Sequence, residues 1–249
     1  MTELLCHTDS TLKEFDAEVT AIAAEESVVV LERTAFFPGG GGQPCDLGVL
    51  RVPSGDAPVD DSPAVRALAV TKVFRREGEI LHRIEGGLPG AGDAVHGELD
   101  WGRRYRLMRT HTAFHILCGV VWRDYRAQVT GGSMDELKGR MDFEFETLGH
   151  ELVEEIEAKL NREVRAARPV TVRVLPREEA FEIPDLIRTK INLLPEGIRQ
   201  VRVVEIEGLD LQADGGTHVA NTREVGTIRV AGYKSKGRIN KRIQLEIEP

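Results

Sequence analysis

The spacing of apolar residues changes near Asp100, and this change constrains the fold more than any other feature of the sequence. Before Asp100, apolar residues occur in short runs separated by clusters of Gly, Pro, Asp and Ser, a pattern typical of strands joined by turns. The predicted strands cover residues 28–31, 47–52, 67–74 and 80–84. Several short strands without a long helix favour a small β-barrel. The polar segment 53–63 is predicted to be an exposed loop.

After Asp100 the pattern becomes helical. Residues 104–122 lack proline, and the candidate residues of one helix face recur at steps of three and four: Leu107, Met108, Thr112, His115, Ile116 and Gly119. A second amphipathic helix is predicted over residues 152–164, and Pro169 would end it. Strand patterns follow at 170–175, 201–206, 225–230 and 243–247. The sequence therefore predicts an α+β protein, with a small β-barrel domain over residues 1–99 and an α+β domain over residues 100–249.

Composition and charge restrict the classes of function. The 249 residues are 41% hydrophobic and 30% charged, which is ordinary for a globular protein. The net charge of −8 argues against a protein that coats nucleic acid without specificity. Two basic clusters nevertheless stand out. They are Arg103, Arg104, Arg106 and Arg109, and then Lys234, Lys236, Arg238, Lys241 and Arg242.

Three features predict a cytoplasmic protein. The polar start of the chain does not resemble a signal peptide, and no apolar run approaches the ~20 residues that a membrane helix needs. The scattered cysteines Cys6, Cys45 and Cys118 are typical of reduced thiols, not of a disulfide framework.

Four residues from two distant segments form a possible metal-binding set. His111 and His115 lie four residues apart in a predicted helix, which would put both imidazoles on one face. No Glu lies between them as it does in the HExxH pattern, so peptidase chemistry is not indicated. Asp214 and His218 are also four residues apart, but the two glycines between them favour a tight loop over a helix.

Each half of this set is a weak signal by itself. Two histidines at helical spacing are more often surface or packing residues, and Asp214 alone would suit a turn in which it caps a backbone N–H. Together, three imidazoles and one carboxylate match the ligands that zinc accepts. Four protein ligands fill a tetrahedron, whereas a catalytic zinc keeps one position for water or substrate. Either zinc becomes five-coordinate or one ligand is labile, and Asp214 is the natural candidate.

The segments around these ligands carry further motifs. Residues 104–117, with His111-Thr-Ala-Phe-His115, resemble the first zinc motif of the alanyl-tRNA editing domain, and residues 212–222 resemble its second. The family usually has Cys where Asp214 stands. Segments 140–143 and 236–243 match further parts of the domain, and 34–44 resembles the glycine-rich motif of the longer, free-standing AlaX-type proteins. The resemblance covers nearly the whole chain, with its motifs in the same order.

This resemblance implies a trans-editing hydrolase with Zn2+ as its cofactor. Such proteins deacylate Ser-tRNA(Ala), and often Gly-tRNA(Ala), after alanyl-tRNA synthetase has misacylated the tRNA. The implied fold is an N-terminal β-barrel followed by an α+β editing domain shared with threonyl-tRNA synthetase. Nothing resembles an ATP-binding core, so hydrolysis is expected to be ATP-independent. Mischarged tRNA(Ala) is the expected partner, and neither a membrane nor an obligate protein partner is indicated.

The residues leave the catalytic role of the zinc open. The metal could lower the pKa of a bound water, polarise the ester carbonyl, or mainly anchor the substrate while another water attacks. No motif indicates a nucleophile, so no catalytic residue is predicted beyond the zinc-bound water.

The glycine-rich motif is predicted to contact the substrate. Gly40, Gly41 and Gly42 would let backbone N–H groups approach the terminal adenosine, with Gln43 as a polar contact. The motif lacks the Lys-Ser/Thr ending of a P-loop, so nucleotide phosphate binding is not indicated. The alternative interpretation is a flexible hairpin turn.

Two threonines and the second basic cluster complete the predicted site. Thr34 and Thr217 are candidates to recognise the hydroxyl that distinguishes serine from alanine, although each could instead bind local backbone. Lys236, Arg238 and Lys241 are expected to contact tRNA.

Two other functions remain open at this stage. The first is a non-catalytic tRNA-binding module of the same fold. Asp214 in place of the usual Cys motivates this alternative, because the change could weaken the metal site. The protein could also deacylate a different mischarged tRNA, such as one that bears serine in place of threonine.

Overall fold

The computed structural model describes residues 2–53, 65–188 and 197–248. The chain divides into two compact units, of which the first comprises Met1–Gly40 and Pro44–Arg104. The second comprises Gly41–Gln43 and Tyr105–Pro249. The predicted loop at 53–63 lies outside the described residues, except for the residue at its start. The predicted domain boundary between residues 99 and 100 stays a prediction.

The first unit contains a closed antiparallel barrel. The strands of the unit are β1 (Glu3–Leu4), β2 (Glu14–Ala23), β3 (Val28–Leu31), β4 (Arg33–Thr34), β5 (Gly48–Pro53), β6 (Val65–Arg76), β7 (Glu79–Glu85) and β8 (Ala94–Leu99). The barrel order is β2-β3-β7-β6-β5-β8, and it closes because β8 pairs with both β5 and β2. Strands β1 and β4 form a short parallel pair. The predicted β-barrel is confirmed.

Alternating side chains fill the barrel. In β2, Phe15, Ala17 and Val19 are buried while the residues between them are exposed. Gly97 in β8 leaves room for Phe15, because a Cβ at position 97 would lie 2.4 Å from that ring. Strands β2 and β8 were not predicted, since alanine and glycine occupy inward positions at which larger apolar residues are expected.

A buried ion pair joins distant parts of the first unit. The Arg104 guanidinium is fully buried and pairs with Asp46, while it also donates to Ser10 O at 2.9 Å and to Ala35 O at 2.6 Å. Asp46 Oδ2 accepts the N–H of Phe37 at 2.6 Å, and Asp46 N donates to Phe37 O at 3.0 Å. These bonds close the base of the loop that contains the glycine-rich motif.

The second unit combines helices with two antiparallel sheets. Its helices are α1 (Trp101–Tyr125, which begins in the first unit), α2 (His150–Arg165) and α3 (Arg177–Glu182). Its strands are β9 (Val129–Asp135), β10 (Lys138–Glu144), β11 (Val170–Pro176), β12 (Gln200–Ile206), β13 (Asp210–Ala213), β14 (Ile228–Ser235) and β15 (Asn240–Ile247). They form sheets of order β14-β15-β10-β9 and β11-β12-β13. The predicted combination of a barrel and an α+β body is confirmed.

Helix α1 is buried on all sides over residues 107–121. Asp100 Oδ1 accepts the N–H of Arg103 at 3.0 Å and so caps the start of the helix. The sequence pattern predicted one buried face, but the apolar and small residues of this segment cover several faces, and the polar side chains of Arg109, His111 and His115 are buried with them. Helix α2 instead has the amphipathic form that was predicted, with Val153, Ile156, Leu160 and Val164 buried.

The strand predicted at 225–230 begins later than expected. A short 3-10 helix occupies Thr222–Val225, and β14 starts at Ile228. Asn221 accepts the N–H of Arg223 at 2.9 Å, and Glu224 Oε1 accepts the N–H of Asn221 at 3.0 Å. This capping box overrides the β-propensity of Val225.

Among the residues that the structure describes, none of the helices combines the length and apolar character that a membrane crossing requires.

Candidate metal centre

The second unit brings the four predicted metal ligands together. His111, His115, Asp214 and His218 each offer one ligand atom, and these four atoms lie within 4.8 Å of one another. His111 Nε2 lies 3.5 Å from Asp214 Oδ1, and His218 Nε2 lies 3.0 Å from Asp214 Oδ2. The rings of His111 and His218 stack with centroids 4.3 Å apart, and the edge of His115 meets His218 at 4.6 Å.

Each half of the set owes its geometry to a simple local structure. Helix α1 places His111 and His115 one turn apart on the same face, with ring centroids at 5.2 Å. The loop after β13 carries the other pair, and Asp214 Oδ2 accepts the N–H of Gly216 at 2.7 Å in a tight turn. Arg202 holds the start of this loop, because its Nη1 donates to Asp214 O at 3.0 Å.

The two glycines between Asp214 and His218 have different surroundings. A Cβ at Gly216 would lie 2.3 Å from His111 Cε1, which is closer than real Cβ contacts come. A Cβ at Gly215 would meet nothing within 4 Å. Only Gly216 is therefore required for the close approach of the loop to the His111 ring.

Each imidazole is held through its second nitrogen. The Nδ1 atom of His111 lies 2.9 Å from Gln43 Oε1, and that of His115 lies 2.9 Å from Asp210 Oδ2. His218 Nδ1 lies 3.2 Å from the hydroxyl of Thr112. In metal sites, partners of this kind orient the ring and leave Nε2 for the metal.

Asp210 and Thr112 were not predicted from the sequence as parts of the site. Thr112 was assigned only to a helix face, and Asp210 was not singled out. An acidic residue directly before the apolar part of a strand is a signal that could have drawn attention to Asp210. Its side chain is buried and also accepts Gln212 Nε2 at 2.7 Å.

The environment sets the charge of each group. Burial lowers the pKa of His111 to about 4 and that of His218 well below its usual range, so both rings are neutral at pH 7. Burial also acts to lower the pKa of His115, but the hydrogen bond and charge of Asp210 outweigh it, and the net shift is upward. Burial acts to raise the pKa of Asp214, but the neighbouring imidazoles lower it well below its usual range.

These residues fit a zinc ion. Tetrahedral zinc with bonds of ~2.0–2.2 Å separates its ligand atoms by about 3.3–3.6 Å. The distances from His111 Nε2 to Asp214 Oδ1, 3.5 Å, and from His218 Nε2 to Asp214 Oδ2, 3.0 Å, lie close to this range. The buried Asp210 Oδ1 makes no hydrogen bond to the described residues, and Arg188 Nη2 lies 3.8 Å away. A cation held by His115 would add positive charge beside this carboxylate. Nitrogen and carboxylate ligands without a thiolate suit zinc better than softer metals.

Thr34, which was predicted to recognise serine, lies in the first unit and is fully buried. Its hydroxyl accepts the N–H of Phe36 at 3.2 Å and lies 3.0 Å from His82 Nε2. Burial lowers the pKa of His82 to about 4, so its ring is neutral at pH 7. Because Nδ1 faces the carbonyl oxygen of Val29 at 3.4 Å, Nδ1 carries the proton, and the Thr34 hydroxyl donates to Nε2. The hydroxyl thus makes two contacts within the first unit, and the predicted recognition of serine by Thr34 stays a prediction.

The predicted substrate contacts of the glycine-rich motif divide between the units. Gly40 belongs to the first unit, whereas Gly41, Gly42 and Gln43 belong to the second. Gln43 is buried, and its amide contacts His111 and Thr217. Thr217 is also buried, and its hydroxyl accepts Gln43 Nε2 at 2.9 Å. The structure thus gives both side chains a partner inside the unit.

The predicted tRNA-binding residues lie around the turn between β14 and β15. Lys236 and Arg238 are exposed. Lys241 is buried, and its Nζ donates to Gly237 O at 2.8 Å and to Arg238 O at 2.7 Å. Lys241 therefore stabilises the turn from within, and the predicted contact of the three residues with tRNA stays a prediction.

Comparison with known proteins agrees with this geometry. Residues 201–244 match the family model of the threonyl and alanyl tRNA synthetase second additional domain, and residues 3–103 match that of class II (A) tRNA synthetases. The chain thus belongs to the class of proteins that contain the second additional domain of threonyl and alanyl tRNA synthetases, and its histidine cluster lies in the unit that contains the matched residues.

Individual relatives give the family. The chain is 38% identical to the alanyl-tRNA editing protein AlaX-M of Saccharolobus solfataricus over 253 residues, which cover 100% of both chains. It is 38% identical over 248 residues to the AlaX-M protein of Methanosarcina barkeri, at 98% of each chain. It is also 36% identical to the alanine–tRNA ligase of Ignicoccus hospitalis over 92% of this chain and 24% of the ligase. The chain belongs to the AlaX-M family of alanyl-tRNA editing proteins, as the sequence motifs predicted.

Proposed function

We propose that the protein is a zinc-dependent hydrolase that deacylates Ser-tRNA(Ala), and also Gly-tRNA(Ala). The convergence of three imidazoles and one carboxylate within 4.8 Å is the observation that carries this proposal. Membership of a family of alanyl-tRNA editing proteins supports the reaction, an ester hydrolysis on mischarged tRNA.

The side chains of the site have distinct tasks. His111, His115 and His218 hold the zinc, and the neutral state of His111 and His218 at pH 7 leaves ring lone pairs available without loss of a proton. When bound, zinc supplies Lewis acidity toward the ester carbonyl or a water molecule.

Asp214 is the most accessible of the four ligands. Its side chain is 15% exposed, compared with 2–7% for the three histidines. A substrate that enters from solvent would meet Asp214 before the histidines, so Asp214 is the ligand that it could most readily displace. This agrees with the expectation that Asp214 is the labile ligand.

Open space at one backbone position and two exposed cations are available for contact with tRNA. A Cβ at Gly41 would meet nothing within 4 Å, so a substrate can approach the backbone there. Lys236 and Arg238 are exposed cations that fit contacts to phosphate groups, which position a nucleic acid without reading its sequence. Such local contacts are compatible with the net charge of −8.

A deacylation assay tests the function. The zinc-loaded protein is incubated with Ser-, Gly- and Ala-tRNA(Ala), with and without a chelator, and the loss of the labelled amino acid is measured. Rapid loss of serine and glycine, retention of alanine and inhibition by the chelator are expected. Stable Ser- and Gly-tRNA(Ala) would contradict the proposal. In that case, tRNA binding by zinc-free protein would identify a binding module, and hydrolysis of seryl-tRNA(Thr) a different substrate.

Substitution of Gly216 by alanine is expected to weaken zinc binding by about 10-fold or more, because the new methyl group would displace the His111 ring. Gly215→Ala is the matched control, since its methyl group would enter open space one residue away. Zinc affinity is measured by competition with a chromogenic chelator. Equal affinities for the two variants would show that the loop tolerates the methyl group and that the close contact does not shape the site.

A further inference from the structure

We propose that Gln43 is a positioning residue that fixes the tautomer of His111, and that the glycine-rich motif exists in part to deliver it. This inference rests on the proposed zinc site and assigns a role to a residue for which the sequence suggested a substrate contact. Gln43 is 3% exposed, so its amide has little access to a substrate.

The orientation of the Gln43 amide follows from its neighbours. The backbone N–H of Thr217 can only donate, and it lies 3.0 Å from Gln43 Oε1. The other end of the amide, Nε2, donates to Thr217 Oγ1 at 2.9 Å. Rotation of the amide by 180° would set its NH2 group against the Thr217 N–H, so the oxygen must occupy the observed position.

The amide orientation determines which nitrogen of His111 carries the proton. Gln43 Oε1 can only accept a hydrogen bond, and it lies 2.9 Å from His111 Nδ1. The neutral imidazole therefore has its proton on Nδ1 and its lone pair on Nε2. That lone pair faces Asp214 Oδ1 at 3.5 Å, and two acceptors held at this distance favour a cation between them.

Glycine conformations bring Gln43 to this position. Gly39, Gly40, Gly41 and Gly42 have φ values of +80°, +134°, +58° and +91°, a run of positive values that residues with a Cβ rarely adopt. Gly42 O accepts the N–H of Met134 at 3.1 Å, which attaches the segment to β9. A Cβ at Gly42 would also crowd Gly132 O at 3.3 Å. The three-residue segment Gly41–Gln43 is thereby part of the second unit, although the chain on both sides of it belongs to the first.

Two substitutions that keep the length of the Gln43 side chain distinguish the effect of its hydrogen-bond acceptor from the effect of its packing. Gln43→Glu keeps an oxygen that accepts from both His111 Nδ1 and Thr217 N, and the Thr217 hydroxyl can rotate to donate to it. Gln43→Met removes the acceptor. Ring-nitrogen chemical shifts of His111 in the zinc-free protein report the tautomer, and chelator competition reports the zinc affinity.

The wild type and Gln43→Glu are expected to have a protonated Nδ1 and an unprotonated Nε2. Gln43→Met is expected to lose this preference and to bind zinc about 10–100-fold more weakly. Unchanged shifts and affinity in Gln43→Met would overturn the proposal. If that variant does not fold, a wild-type His111 with its proton on Nε2 overturns the proposal by itself.

Neither measurement requires tRNA, so this inference and the proposed function can fail separately. A protein that hydrolyses Ser-tRNA(Ala) with a Gln43-independent tautomer would refute only the inference. A protein with the expected tautomer and zinc affinity but without hydrolysis would refute only the function.

Discussion

Replacement of His111 by alanine is expected to remove stoichiometric zinc and to lower the rate of Ser-tRNA(Ala) hydrolysis more than about 100-fold. Loss of a partner that merely orients a metal ligand already costs 10–100-fold, and this substitution deletes a ligand itself. His111 also contacts Gln43 and the stacked ring of His218, so the change removes one side of the cluster. Zinc content by elemental analysis and initial deacylation rates measure the effect.

His150→Ala is the control for this experiment. His150 lies at the start of α2, its side chain is 74% exposed, and it pairs only loosely with Glu154 at 3.2 Å. This variant is expected to keep its zinc and its activity. Full activity of the His111 variant without bound metal would disprove the ligand assignment, and full zinc content would show that the other three ligands suffice.

Substitution of Asp46 by alanine is expected to lower the free energy of unfolding of the first unit by about 3–5 kcal/mol. The change leaves the fully buried guanidinium of Arg104 without its counter-charge, and loss of one partner of a buried ion pair carries a penalty of this size. The N–H of Phe37 also loses its acceptor. Urea denaturation in a Trp122→Phe background measures the effect, because Trp101, the remaining tryptophan, lies in the first unit.

Arg51→Ala provides a matched comparison within the same barrel. Arg51 pairs with Glu98, but their side chains are 46% and 34% exposed, so the loss is expected to stay within about 1 kcal/mol. The double variant Asp46→Leu with Arg104→Met should recover part of the stability, since it removes both buried charges. Equal effects of Asp46→Ala and Arg51→Ala would show that solvent reaches the Arg104 pair.

The fold was predictable where a local pattern reflects a local structure. The strands β3, β5, β6 and β7 and the helices α1 and α2 follow from apolar spacing and turn residues, and the structure contains all of them. The start of β14 was misplaced, because a capping box formed by side chains competed with the strand. Strands β9, β10 and β13 were missed, since glycine and polar residues interrupt their apolar pattern.

In the candidate site, too, contacts between residues close in sequence were predictable, whereas contacts between distant segments were not predictable from local patterns. His111 and His115 could be paired from helical spacing, and the glycines after Asp214 indicated a tight loop. The meeting of the two pairs could be predicted only through the resemblance to a known family. The resemblance could not reveal that Lys241 is buried, because that depends on the path of the turn in this chain.

The sequence by itself determined the two-part architecture of a barrel and an α+β body, the four possible zinc ligands and the family to which the chain belongs. The tertiary structure alone decided which groups hold the three imidazoles, because the bonds from Gln43, Asp210 and Thr112 join residues 68, 95 and 106 positions apart. Apolar periodicity describes only neighbours along one helix or strand. A hydrogen bond between distant segments exists only after both have folded, and it is this bond that orients each imidazole ring.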